Sequence, residues 1–142
     1  MDWWAWLAWI GACVALNVVL VPRVRRRAVA RGLREGRVPV CARALEGDVP
    51  GVSRRWHVAR AVHRDGRVVL QRATDHETQA GVDVLFVAPA ERRLGFREGL
   101  RVTPDATHAV VATTPGGRVE LAGSRTAIGW LREQLDPGSR PG

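Results

Sequence analysis

The chain has 142 residues and a formal net charge of +8, and all of its basic residues are arginine. Residues 1–37 carry seven arginines against Asp2 and Glu35, while the remainder carries fifteen against twelve acidic residues. Most of the excess charge therefore lies beside an apolar run, where an anionic membrane surface is the natural partner. A nucleic-acid partner is not expected, because the rest of the chain is only mildly basic and lacks a basic sheet studded with aromatics.

Trp3 to Val21 is a stretch of nineteen residues without formal charge. As a helix, at about 1.5 Å per residue, it spans roughly 28 Å, the thickness of a bilayer's hydrocarbon core. Trp3, Trp4, Trp6 and Trp9 crowd its first half, and indole favours the headgroup level. Asn17 is its one strongly polar side chain. The apolar run ends at Pro22, and Arg23, Arg25, Arg26 and Arg27 follow. These eight tryptophans and arginines mark the two membrane interfaces. By the positive-inside rule the N-terminus lies outside and the following domain in the cytoplasm, at the inner (plasma) membrane.

Two other readings of this run are weaker. A secretory signal carries its charge before the apolar segment, the reverse of what is found here. Ile10-Gly11-Ala12-Cys13 has the look of a lipoprotein cleavage box, yet it lacks a basic leader and the apolar run continues past it. Cys13 and Cys41 fall on opposite sides of the expected membrane boundary, so no disulfide framework is implied.

Residues 23–37 read as a helix continuing out of the membrane and ending near Gly32 or Gly36. Its arginines read as spread around the helix, a solvated linker attracted to anionic lipid. Beyond it, short runs separated by Gly, Pro and Asp predict strands at 38–45, 55–63, 67–73, 82–88, 108–114 and 118–122, with a weaker one at 93–102. Asp65-Gly66 suits a type I′ hairpin turn, and Pro115-Gly116-Gly117 reads as a second hairpin of the same kind. In the second strand Trp56, Val58 and Val62 share one face and His57, Ala59, Ala61 and His63 the other. In the last strand Val119 and Leu121 alternate with Arg118 and Glu120. Ser124 can cap a helix bearing Ile128, Leu131 and Leu135 at helical spacing, with Ala127 and Trp130 widening its face and Asp136-Pro137-Gly138 ending it. The expected architecture is a transmembrane helix (1–22), a basic linker (23–37), a mostly β domain closed by one C-terminal helix (38–136) and a tail (137–142).

Seven short strands closed by a helix bearing a tryptophan resemble the pleckstrin-homology-like split barrel, in which the helix plugs one open end. The stretches WHVARAVHRDGRVVLQR (56–72), ERRLGFREGLRV (91–102) and VELAGSRTAIGWL (119–131) also resemble an actinobacterial family of short single-pass membrane proteins of unknown function, commonly encoded beside the ATP synthase operon. That resemblance implies a fold and a location and no activity. The chain departs from it in its tryptophan-rich anchor and in carrying valine and leucine on the second hairpin strand, where aromatics are usual.

No catalytic constellation is legible. Ser53, Ser124 and Ser139 lack a nucleophile-elbow context. His57 and His63 are nearly 20 Å apart on an extended strand, and Asp75-His76-Glu77 lacks a metal-binding spacing, so neither a metal nor a cofactor is expected. Trp56 and Trp130 read as core anchors. Arg54 and Arg55 border the first loop and are the candidate anion contacts, through bidentate phosphate binding. Arg60, Arg72, Arg92, Arg93 and Arg97 also qualify, although pairing with Glu91, Glu98 and Asp65 is the simpler expectation. Together these readings predict a non-enzymatic binding or scaffold module for a membrane protein complex, with anionic phospholipid headgroups as the alternative ligand and an enzyme of unrecognised type as the remoter alternative.

Overall fold

The computed structural model describes residues 2–72 and 81–136. The expectations placed on Asp75-His76-Glu77, on Pro137-Gly138, on Ser139 and on the 137–142 tail lie outside the described residues. The chain forms two compact units, Met1–Glu35 and Gly36–Gly142.

The first unit is one continuous helix long and apolar enough to cross a membrane, made of α1 (Trp3–Ala15), a π-helical segment (Leu16–Leu20) and α2 (Val21–Arg34). None of its apolar window is buried within the protein, which distinguishes it from the core helix of a globular domain. Asn17 donates its side-chain amide to the carbonyl of Cys13 at 2.8 Å, so the one strongly polar group of the run is satisfied inside its own helix. The helix passes through Pro22. A proline ring presses on the carbonyl four residues earlier, here Val18, and that residue sits in the wider π segment. The helix ends at Arg34, and Gly36 follows with φ +73°, the left-handed geometry of a C-terminal cap. At about 100° per residue, Arg23, Arg26, Arg27, Arg31 and Arg34 fall within an arc of about 140°, and only Arg25 lies apart. The arginines of α2 are therefore gathered on one side rather than spread around it.

The second unit is a seven-stranded antiparallel sheet in the order β4-β3-β2-β1-β7-β6-β5, followed by a C-terminal helix. The strands are β1 (Arg37–Gly47), β2 (His57–Arg64), β3 (Arg67–Arg72), β4 (Val82–Val84), β5 (Phe86–Arg93), β6 (His108–Thr114) and β7 (Gly117–Gly123). β4 and β5 occupy opposite edges of the sheet, yet only Leu85 separates them in the chain. Leu85 donates its amide to Thr113 of β6 at 2.9 Å, and Val84 pairs with Val68 of β3. One residue can join the two edges only if the sheet curls round on itself, so the fold is a curled half-barrel.

The inner face of the curl holds Val38, Val40 and Ala42 of β1, Ala59 and Ala61 of β2, Val110 of β6 and Leu121 of β7. In β2, then, the alanine face is the buried one, while Val58 is about half exposed. Helix α4 (Arg125–Leu135) presses Ala127, Ile128, Trp130 and Leu131 onto this surface, and Leu121, Ile128 and Leu131 are the largest fully buried side chains. Ser124 caps α4 as its spacing suggests, accepting the amide of Ala127 at 3.2 Å.

The β2–β3 hairpin matches its expectation, with Arg64 paired to Arg67 and positive φ at both Asp65 and Gly66. The β6–β7 hairpin does not. Thr114 pairs with Gly117, so Pro115-Gly116 is the two-residue turn, and a proline ring holds φ near −65°, which a type I′ turn forbids. The positive φ falls on Gly117 instead, where an added Cβ would lie 2.0 Å from the carbonyl oxygen of Glu46. Two strand expectations are also corrected. The 82–88 run is two strands broken at Leu85. The 93–102 run is the end of β5 followed by a single helical turn, α3 (Phe96–Gly99).

Candidate functional site

The outer face of the sheet carries an ion-pair bridge. Arg43 of β1 lies directly opposite Glu120 of β7, and Arg92 of β5 reaches the same carboxylate across β6. Glu120 Oε2 accepts from Arg43 Nε at 2.9 Å and Nη2 at 2.6 Å, and Oε1 accepts from Arg92 Nε at 2.6 Å. Arg92 turns its other edge to Glu98 of α3, donating through Nη1 at 2.7 Å and Nη2 at 3.0 Å. Two arginines and two glutamates leave the bridge neutral. Its centre is dry, because the Glu120 side chain is only 5 % exposed. The Glu98 carboxyl is held below the usual carboxylate range, mainly by its hydrogen bonds to Arg92, and those bonds hold the Arg92 guanidinium more firmly protonated still.

A small apolar cluster lies beside the bridge. Cys41, Ala106, Ala109 and Ala122 form its buried centre, and Trp56, Leu94 and Val102 pack on it. The Arg43 guanidinium stands 4.7 Å from the centre of the Trp56 ring, a cation–π contact. The cluster and the bridge together fix the β5–β6 connection over the outer face. Cys41 belongs to this small core as a buried apolar residue with a weak contact to Thr103 Oγ1 at 3.8 Å.

Arg54 and Arg55 lie in the β1–β2 loop. That loop is held by Ala44 N–H to Ser53 O at 2.7 Å, by Val52 N–H to Val49 O at 3.1 Å and by Arg72 Nε to Gly51 O at 2.9 Å. Both side chains are exposed, and neither forms an ion pair among the described residues. A firm loop thus displays two neighbouring guanidinium groups to solvent, one residue before Trp56. Arg72 is occupied in holding the loop and Arg92 in the bridge, whereas Arg93 and Arg97 are exposed. Glu91 pairs with Arg132 of α4 at 3.4 Å. No group of three metal-ligating side chains is found among the described residues.

An open groove of about 470 Å³ runs between β5 and the end of α4, lined by Phe86, Val87, Pro89, Arg132, Leu135 and neighbouring residues. Arg132 spans it, donating to the carbonyl of Pro89 at 2.9 Å.

On the N-terminal helix, Trp3, Trp4, Trp6 and Trp9 are all exposed, and at helical spacing they point around the whole circumference. The Trp3 and Trp4 rings approach to 4.3 Å between centroids. Arg23, Arg25, Arg26 and Arg27 follow in α2, also exposed, with Trp9 and Arg23 about 21 Å apart along the axis.

Sequence reasoning missed the roles of Arg43 and Glu120, since alternation in β7 assigned Glu120 to the solvent side. It also missed Phe96 and Leu100, taken as part of a weak strand. The four-residue spacing of Arg93, Arg97 and Arg101, shared by Phe96 and Leu100, was the available helical signal. Compared with known protein families, with curated proteins and with solved structures, the chain matches none of them.

Proposed function

We propose that this protein is a single-pass membrane protein whose β domain is tethered at the cytoplasmic side of the inner (plasma) membrane, where it acts as a non-enzymatic binding or scaffold module for a membrane protein complex. The observation that carries the reading is the helix Trp3–Arg34, apolar and unburied along its first two thirds, with indoles at one end and arginines at the other. Arg37, the first residue of β1, lies three positions beyond the helix end, so the domain follows the anchor directly in the chain. Tethering raises the effective concentration of partners in the same membrane, which lets modest contacts suffice.

The curled seven-stranded sheet closed by α4 supports a pleckstrin-homology-like assignment. The order of anchor, hairpin, arginine-rich middle and closing helix supports membership of the actinobacterial single-pass family. A second reading, recognition of an anionic headgroup, is favoured by Arg54 and Arg55, exposed on their braced loop and without an ion pair among the described residues.

The test uses full-length protein in native membranes. It should resist alkaline carbonate extraction, and a photo-crosslinking residue at Arg54 or Arg55 should give one discrete protein-sized adduct. Lipid-only adducts would favour the headgroup reading. Release by carbonate would refute both readings.

A further inference from the structure

The β5–β6 connection is built to present an apolar tip. Leu94 and Val102 pin its two ends to the outer-face cluster, and the amide of Leu94 donates to Thr107 at 3.0 Å. Between the pins, Phe96 and Leu100 project outward, 84 % and 73 % exposed, more than any large apolar side chain of the N-terminal helix. They are one helical turn apart and so share a side.

The exposed charges flanking this tip are all positive, while Asp105, further along the connection, is half-buried. Arg93, Arg97 and Arg101 recur every four residues, all exposed, and none forms an ion pair among the described residues. The one acidic residue between them, Glu98, turns inward to Arg92 and Arg43 and is neutralised there. The outward surface of the segment is thus two apolar side chains among three unopposed guanidinium groups. Single exposed apolar residues are ordinary, but a paired tip with a like-charged surround and both ends pinned fits an anionic bilayer: apolar groups reach the acyl boundary while guanidinium groups meet phosphates.

We propose that the β5–β6 connection is a membrane-docking element, with Phe96 and Leu100 entering the interface of an anionic bilayer and Arg93, Arg97 and Arg101 binding its headgroup phosphates. The proposal rests on the membrane tether argued above and adds a second, lipid-dependent contact to it. Charge complementarity selects an anionic bilayer as the occupant.

The test reads depth in the full-length protein reconstituted into vesicles rich in an anionic phospholipid or made of neutral lipid alone. Cys13→Ala leaves only the buried Cys41, and single nitroxide labels are placed through Phe96→Cys, Val18→Cys and Asp65→Cys. Oxygen and a water-soluble nickel chelate then report lipid or aqueous surroundings. The expected result is a lipid reading at position 96 in anionic vesicles, an aqueous one in neutral vesicles, and an aqueous one at position 65 in both. Replacing Arg93, Arg97 and Arg101 by Gln should return position 96 to water, since about 1 kcal/mol per arginine amounts to about a hundredfold loss of docking for three. An aqueous reading at 96 in anionic vesicles, with position 18 in lipid, would overturn the docking proposal and leave the anchor standing. An aqueous reading at position 18 would overturn the anchor as well. Shielding of position 96 that ignores lipid charge and survives the triple substitution would overturn docking in favour of a protein contact.

Discussion

Replacing Arg43 by Met should destabilise the β domain by about 2–3 kcal/mol. Glu120 is almost fully buried and accepts three hydrogen bonds, two of them from Arg43. Stripping every cation from such a carboxylate costs about 3–5 kcal/mol. Arg92 remains on Oε1, which lowers the penalty, and loss of the contact over Trp56 adds back about 0.5–1 kcal/mol. Methionine keeps most of the aliphatic stem, so little of the effect comes from packing. The assay is thermal unfolding of the full-length protein in nonionic micelles, where each kcal/mol moves the midpoint by about 4–8 °C for a domain of this size. The double variant Arg43→Met/Glu120→Gln removes the stranded charge and should be no less stable than Arg43→Met alone, a coupling of about 1–2 kcal/mol. A single variant within about 0.5 kcal/mol of the parent, or strictly additive effects, would refute the idea that Glu120 depends on its arginines.

Ser124→Ala should cost about 1 kcal/mol by freeing the Ala127 amide at the start of α4, read as a lower midpoint in the same melt. The β5–β6 connection should loosen in acid. Glu98 has a folded-state pKa below its unfolded one, so its contribution is present above the unfolded value and is lost as pH falls through the lowered folded value. Hydrogen exchange at residues 95–101 should therefore accelerate at the acidic end of the carboxylate range, and Glu98→Gln should show that faster exchange already at neutral pH. A connection that exchanges at the same rate in the parent and in Glu98→Gln would separate it from the bridge.

Elements whose determinants are local were legible in the sequence. Asp65-Gly66 specifies its own turn and thereby the β2–β3 register, His108–Thr114 is bounded by turn residues on both sides, and Ser124 with Ile128 and Leu131 specifies a capped amphipathic helix. Features set by the curl were not. Val82 to Ala88 reads as one apolar strand, yet closure of the sheet needs a corner at Leu85, and both Leu85 and Phe86 end up more than half exposed. Nothing near Glu120 announces burial. Its partners come from strands 77 and 28 residues away, so only tertiary pairing converts an expected surface residue into the centre of a bridge. The helical turn at Phe96 has only one apolar pair at helical spacing, Phe96 with Leu100, too little to outweigh the strand-like residues around it.

The central claim is that the β domain is anchored on the cytoplasmic side, and orientation tests it most directly. Asp65→Cys at the exposed tip of the β2–β3 hairpin, in a Cys13→Ala background with Cys41 buried, offers one reactive thiol to a membrane-impermeant maleimide. The account predicts no labelling in intact cells and full labelling in inverted membrane vesicles. Labelling in intact cells would place the domain outside and contradict it.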